Sequence, residues 1–254
     1  QGNDVDTLGL NTISSKAKHI VHMTAGDEHR YNFSLSRIPK SKNHIELNLP
    51  GVHCDVGGSY VEGRPEGRPQ GVKVQDIEDR HVLREDKTTS EEKNSYKLEQ
   101  FRKTLINEGW FTEDQITIYK TLAMAGKDTY TWNYELVSER AYVSNQYSFI
   151  PLHMMLKLAM ERKLEFTKDE LIKSKNFTPN IFPDHLDLMQ RIQKNIEDYT
   201  DRVIASPTAN HEYLIRTADL KKLRNHYLHY NATATFINKP ENEERIRGIV
   251  KPSK

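Results

Sequence analysis

Residues 44–60 read HIELNLPGVHCDVGGSY and combine a strand pattern with a glycine-rich turn. The first six residues alternate polar and apolar side chains, which predicts a strand over 44–49 that ends at Pro50-Gly51. His53 then follows the end of that strand, where many α/β enzymes carry catalytic groups. Gly57 and Gly58 allow close backbone approach or positive φ. This pattern alone leaves two interpretations open, a turn with a solvated histidine and a catalytic histidine.

The preceding sequence predicts how this strand is joined to the rest of the fold. Residues 1–9 have the character of a strand end, and the apolar residues of 13–29 recur at helical spacing. A strand end, a helix and a strand in that order predict a right-handed crossover in a parallel sheet, and hence an α/β fold.

Three acids are candidates to orient His53. Asp55 is close in sequence, but i,i+2 side chains on an extended loop tend to diverge. Asp4 and Asp6 end the preceding strand element, and since neighbouring parallel strands end at the same edge, Asp6 has the better geometry for reaching His53. The hydroxyl of Thr7 could then hold the Asp6 carboxylate.

The remainder of the chain divides by composition into two parts. Glycine, proline and charged residues dominate 63–93, which predicts an exposed loop. Residues 94–254 are predicted to be mainly helical, a lid or a partner- or membrane-facing subdomain. Apolar periodicity predicts helices over 96–107, 148–162, 184–206 and about 211–228, a capping box at 167–170, and a strand or extended segment over 128–137.

Composition limits the classes of function. The chain has 37 basic and 36 acidic residues, a net charge of +1, so no strong field attracts nucleic acid. Only 36% of the 254 residues are hydrophobic and the mean hydropathy is −0.77. Because central parallel strands are usually apolar runs, two explanations are open: a mostly helical, solvated protein, or a fold whose most apolar part lies outside this chain. Cys54, the single cysteine, excludes an internal disulfide.

Several other chemical groups lie near His53 in the sequence or could carry chemistry elsewhere. The chain contains no G-x-S-x-G elbow. Cys54 adjoins His53, and we expect its side chain to point away from the imidazole. Asp27, Glu28 and Arg30 could form an ion-pair network at a helix end, which more often only holds a loop.

Metal binding is the remaining alternative from the residues. The pairs His19/His22 and His226/His229 lack a third ligand, and metal sites need three or four. We therefore expect no metal and no cofactor. A metal hydrolase built on His53 and Asp55 is the last-ranked alternative.

Three motifs occur in order along the chain, and together they carry a resemblance. They are Val5-Asp6-Thr7-Leu8, the segment Asp27–Phe33 and the loop Gly51–Tyr60. They resemble the bacterial α/β-hydrolase family that includes the type VI secretion phospholipase effectors.

The resemblance implies that residues 1–62 are the C-terminal part of an α/β-hydrolase core with few parallel strands. It implies Asp6 as the acid and His53 as the histidine of a serine triad. It suggests supporting roles for Asp55, Thr7, Gly57, Gly58, Asp27 and Arg30. The family's serine elbow lies upstream of the acid and is not in this sequence, so we expect the chain to correspond to the part after the serine.

The function that the resemblance implies is that of a serine esterase, a phospholipase acting on glycerophospholipid esters as a secreted antibacterial effector. Its expected location is the cytoplasm of the producing bacterium, with delivery to the periplasm or membrane of a target cell. Expected partners are the phospholipid and membrane surface, an immunity protein or a secretion spike protein, and the N-terminal half of the same hydrolase. The alternative is a non-catalytic module that binds an immunity protein or a spike.

Overall fold

The structure of the chain is a computed structural model that describes residues 16–38, 41–60, 80–88, 91–127, 129–140, 142–164, 185–234, 239–240 and 249–250. Asp6, Thr7 and the 167–170 capping box lie outside the described residues. Within them the fold is mixed α/β, with two two-stranded parallel sheets, a three-stranded antiparallel sheet and five α-helices.

One parallel sheet pairs β1, Ile20–Ala25, with β3, His44–Leu49. The two strands run in register from Ile20 opposite His44 to Ala25 opposite Leu49. The strand prediction for 44–49 is confirmed. The helix prediction for 13–29 is wrong over β1, because its β-branched residues favour a pleated strand although their spacing also fits a helix. A second parallel pair joins β2, Leu35–Ser36, to β7, Ile249–Val250.

The antiparallel sheet has the order β4-β6-β5. Its strands are β4 (Arg80–Thr88), β5 (Ile116–Gly126) and β6 (Thr129–Glu139). The extended segment predicted over 128–137 is β6. The other two strands correct the sequence prediction, since β4 lies in the expected loop 63–93 and β5 in the mainly helical 94–254. Cross-strand pairing with β6 organises β4 despite its charged sequence, because one face of β6 reaches the core.

Five helices surround these sheets: α1 His53–Gly57, α2 Glu91–Glu108, α3 Phe149–Glu161, α4 Leu186–Ala205 and α5 Thr217–Tyr227. The last four confirm the helices predicted from apolar periodicity. Helix α4 buries a continuous apolar stripe against β3, and its Tyr199 hydroxyl accepts a hydrogen bond from the Asn48 amide at 3.1 Å. This contact fixes the strand that leads into the candidate site. None of the helices in the described ranges is long and apolar enough to cross a membrane.

Candidate active site

The carboxyl ends of β1 and β3 bring Glu28 and His53 together. Glu28 follows β1 by three residues, and His53 opens α1 four residues after β3. Because parallel neighbours end at the same sheet edge, the two loops meet there. Asp27 ties the loops together. Its amide donates to the Gly51 carbonyl at 3.0 Å, and its carboxylate accepts from the Gly51 amide at 2.7 Å and from Arg224 at 2.8 Å.

Glu28 binds the imidazole of His53. Its side chain is fully buried, and its Oε2 lies 2.7 Å from His53 Nδ1. The same carboxylate accepts hydrogen bonds from Arg30 Nε at 2.9 Å, Arg30 Nη2 at 3.0 Å and Asn231 Nδ2 at 3.1 Å. Burial opposes ionisation of Glu28, but hydrogen bonds from His53 and Arg30 outweigh it and lower its pKa. Glu28 is therefore an ionised acceptor that orients the histidine.

The ring of His53 is held in one orientation. Arg30 Nη2 lies 3.1 Å from the Nδ1 atom of His53, farther than the Glu28 oxygen, so we assign the Nδ1 proton to the bond with Glu28. Phe33 stacks on the imidazole with ring centroids 4.9 Å apart, and the Arg30 guanidinium lies 3.6 Å from the Phe33 ring centroid. With Nδ1 bound, Nε2 is the nitrogen left for proton transfer.

Cys54 contacts that nitrogen, contrary to the expectation that it points away. Its Sγ lies 3.1 Å from His53 Nε2. The contact with Cys54, followed by that with Glu28, raises the pKa of His53 from 6.5 to about 9. Burial raises the pKa of the Cys54 thiol, but hydrogen bonds with His53 and Ser59 bring the pKa below its ordinary value. Because α1 is helical here, consecutive side chains do not alternate to opposite sides as in a strand.

Asp55 holds the loop that carries His53 in place, but its side chain contacts His229 and not His53. Its buried carboxylate accepts from the Val52 amide at 2.9 Å, the His229 amide at 3.1 Å and His229 Nδ1 at 2.7 Å. Tyr60 stacks on His229 with centroids 3.5 Å apart, and buried Arg140 donates to three carbonyls near the end of α5. Burial raises the pKa of Asp55, which the bonds from His229 oppose. These contacts anchor the start of α1 to the chain beyond α5.

The backbone conformation at two positions of the predicted loop requires glycine. Gly51 has φ +99°, and a Cβ there would lie 2.8 Å from the Asp55 Cβ, so a side chain is excluded. Gly58 ends α1 with φ +74°. Gly57 and Gly58 both border the cavity next to His53.

A cavity of about 580 Å³ opens beside His53. Its lining is largely apolar and comes from β1, β2, α1 and the start of α3: Met23, Ala25, Leu35, Val56, Phe149, Pro151, Leu152 and Met155. Ser148 also lines it, and its hydroxyl donates to the Asn145 carbonyl at 2.8 Å. The volume is in the range of pockets that bind small ligands. The geometry places a titratable imidazole at the edge of an apolar pocket.

The predicted histidine pairs do not gather ligands in the described residues. His22 lies on β1, where its Nδ1 is 3.2 Å from Glu46 Oε2. His226 contacts His185, with ring centroids 4.7 Å apart. No group of three or more His, Cys, Asp or Glu side chains converges there. Asp55 turns towards His229, so it does not join His53 in a shared ligand set.

The fold matches a solved structure over 94% of the chain, with a TM-score of 0.65 and 18% identity. That structure is described as the Tle1 effector bound to the VgrG spike from the type 6 secretion system. The chain shares its fold with a type VI secretion effector. It spans about half, 51%, of the neighbour's length. No protein-family model matches the chain, and no curated protein does.

The residue that sequence reasoning underestimated is Glu28. The residue pattern places Glu28 only in an ion-pair cluster at a helix end, because 13–29 fits helical spacing. Its position three residues after a strand follows only from the pairing of β1 with β3. The acid predicted from the resemblance, Asp6, stays a prediction. Asp27, Arg30, Asp55, Gly57 and Gly58 all lie around the loop that carries His53, in the contacts given above.

Proposed function

We propose that this chain carries the histidine and an orienting acid of a serine esterase that acts on glycerophospholipids. The observation that carries the proposal is the 2.7 Å contact of His53 with buried Glu28 at the mouth of an apolar cavity. A base that works on a hydroxyl nucleophile needs a partner that fixes its tautomer and orientation. Glu28 fills that role for His53.

The chemistry follows from the free nitrogen of His53. Nε2 takes the proton of a serine hydroxyl as the oxygen attacks the ester carbonyl, and returns it to the leaving alcohol oxygen. Water then attacks the acyl-serine with the same base, which releases the fatty acid. The apolar cavity suits an acyl chain of the substrate. We propose that the serine comes from a segment preceding this chain, in agreement with the motif order of the family it resembles.

The raised pKa of His53 sets a condition on this mechanism. With a pKa of about 9, the imidazole is mostly protonated at neutral pH and is a poor base. Cys54 occupies Nε2 and is the largest cause of that elevation. A serine hydroxyl that reaches Nε2 must displace the thiol, which removes this cause. The proposal therefore predicts a base that becomes competent when the serine displaces the thiol, with activity that rises as pH passes the lowered pKa of His53.

The experiment compares ester hydrolysis by the full-length protein with that of two variants. His53→Ala is expected to lower kcat by roughly 10²-fold or more, the usual contribution of a general base. Glu28→Gln is expected to lower kcat less, since the ring stays but loses its ionised partner. Asp219→Asn is the matched control for activity, because Asp219 is a buried carboxylate that binds Arg191 and Arg216 and is not among the residues that line the cavity. Undiminished hydrolysis in His53→Ala would end the proposal.

A second candidate is favoured by the contact of Cys54 with His53. The thiol, the imidazole and Glu28 stand in the order nucleophile, base and acid, with 3.1 Å and 2.7 Å between them. Such a set could form an acyl-thioester without an external serine. Cys54→Ala separates the two candidates: hydrolysis that persists supports the serine esterase, and hydrolysis that stops supports the cysteine nucleophile.

The biological setting is proposed from the resemblance and the shared fold. We propose a type VI secretion effector that acts on the membrane of a target cell and is carried by a spike protein. The neighbour with the same fold is bound to the VgrG spike. A pull-down of the full-length protein with the spike proteins of its own bacterium tests this role. An interaction without ester hydrolysis would favour the non-catalytic module.

A further inference from the structure

The β5–β6 hairpin has one face that begins in the core and continues beyond it. Pairing puts Ile118 opposite Leu136, Leu122 opposite Trp132 and Met124 opposite Tyr130. Since side chains alternate along a strand, these residues share one face of the sheet. At the base of the hairpin this face is buried, with Leu136 fully covered.

The same face stays apolar where the core ends. Leu122 is 52% exposed, Met124 is 70% exposed and Tyr130 is 55% exposed. Trp132, on the same face, is partly buried and packs against the core. We call Leu122, Met124, Tyr130 and Trp132 the hairpin tip. From Ile118 to Met124 the strand covers roughly 20 Å at the usual rise per residue. Contiguous exposed apolar patches often mark interaction sites, whereas apolar residues scattered singly over a surface do not.

The arrangement of residue types indicates the partner. Met124 and Tyr130 form the outer pair of the hairpin tip, and Leu122 and Trp132 form the next pair inward. Lys120 lies behind, with Nζ 4.0 Å from the Trp132 ring centroid, and exposed Lys127 occupies the turn. Exposed aliphatic and aromatic side chains with a basic residue at each end of the patch are typical of surfaces that lie in the lipid–water interface.

We propose that the hairpin tip docks the protein on a phospholipid bilayer with an anionic component. The apolar face of the hairpin tip enters the interface, where such faces are buried by about 5–10 Å. The aromatic rings of Tyr130 and Trp132 suit the interface itself. Lys120 and Lys127, at the two ends of the patch, face lipid phosphates. Between residues 119 and 134 the sequence has two lysines and one acid, Asp128, so the local charge complements an anionic surface. The proposed function names the same lipid, but docking does not require His53 to be catalytic.

The test is co-sedimentation with vesicles of phosphatidylcholine and phosphatidylglycerol. The double variant Leu122→Glu/Met124→Glu is expected to bind at least tenfold more weakly, because two buried apolar side chains are lost. Leu214→Glu is the matched control, since Leu214 is 68% exposed and lies outside the hairpin. All three sites are exposed, and circular dichroism checks that the variants keep the wild-type fold.

A second readout locates the contact. The two tryptophans differ, because Trp110 is fully buried and Trp132 lies at the hairpin tip. Vesicles with brominated lipid are expected to quench the fluorescence of Trp132. The loss of fluorescence should therefore disappear in Trp132→Phe. Wild-type protein that does not bind vesicles, or a double variant that binds equally well, would overturn the proposal. So would a dimer of the chain that dissociates in the double variant, since a second copy would then cover the tip. Neither readout measures ester hydrolysis, so docking and the proposed activity can fail separately.

Discussion

Glu28→Gln tests the central contact of the site without needing an enzyme assay. The substitution keeps the shape of the side chain and removes its charge. His53 has a pKa of about 9, and its contact with Glu28 is the second-largest cause of that elevation, after Cys54. We expect the pKa of His53 to fall by about one pH unit, a tenfold change in proton affinity. Titration of the imidazole protons by NMR measures it directly.

The same substitution also affects stability. It leaves the Arg30 guanidinium, whose side chain is only 11% exposed, without the carboxylate that binds it. Breaking a buried ion pair from one side costs about 3–5 kcal/mol, and the residual exposure of Arg30 favours the lower end. Urea unfolding of both proteins gives the difference.

Glu46→Gln is the control for the claim that the contact with Glu28 raises the pKa of His53. Glu46 is nearly as buried, and it binds His22 and Arg37 in the same combination of a histidine and an arginine. We expect it to lower the free energy of unfolding without changing the pKa of His53. A pKa of His53 that stays near 9 in Glu28→Gln would refute the pairing. So would equal changes in the two variants.

Three further outcomes follow from the same contacts. Cys54→Ala should lower the pKa of His53 below about 9, since the thiol is the largest cause of its elevation, and an unchanged NMR titration would contradict this. Gly51→Ala should lower the free energy of unfolding by about 2 kcal/mol or more because of its positive φ and the clash with Asp55. Gly57→Ala, where a Cβ meets open space, should change it by less than about 0.5 kcal/mol, and equal urea midpoints for the two alanine variants would argue against the strain. Asp55→Asn should lower unfolding free energy by about 2–4 kcal/mol yet leave the titration of His53 nearly unchanged, whereas a large change would place Asp55 in direct contact with the imidazole.

The sequence located the strand and the histidine because both signals are local. Alternation over 44–49 and the break at Pro50-Gly51 need no knowledge of the rest of the fold. The long apolar stripes of α3 and α4 are local in the same way. Sheet neighbours are different, because they depend on contacts between distant segments.

That dependence explains the error at β1. Ile20, Val21 and Thr24 fit helical spacing, and only pairing with β3 selects the strand. The sequence prediction takes residues 1–9 as the end of the strand beside β3. In the structure the parallel neighbour of β3 is β1. This places Glu28, rather than another acid of the described residues, beside His53. Asp6 lies outside the described residues and stays a predicted acid.

Other features could not be read from residue patterns. The contact of Cys54 with His53 Nε2 depends on the helical conformation of α1. A helix of only five residues has too short an apolar pattern to be predicted from the sequence. Strand β5 was missed because most of its side chains are exposed and mixed in type, so that its pairing with β6 decides its structure.

The pH dependence of kcat/KM for ester hydrolysis by the full-length protein tests the central claim most directly. In the free enzyme this profile reports the ionisation of the base. The account predicts activity that rises with pH to an inflection at the pKa of His53, which lies below about 9 in the full-length protein because the serine displaces the thiol that raises it most. In Glu28→Gln the inflection should move to lower pH, and His53→Ala should abolish activity. An inflection that Glu28→Gln does not move, or activity that persists in His53→Ala, would contradict the account.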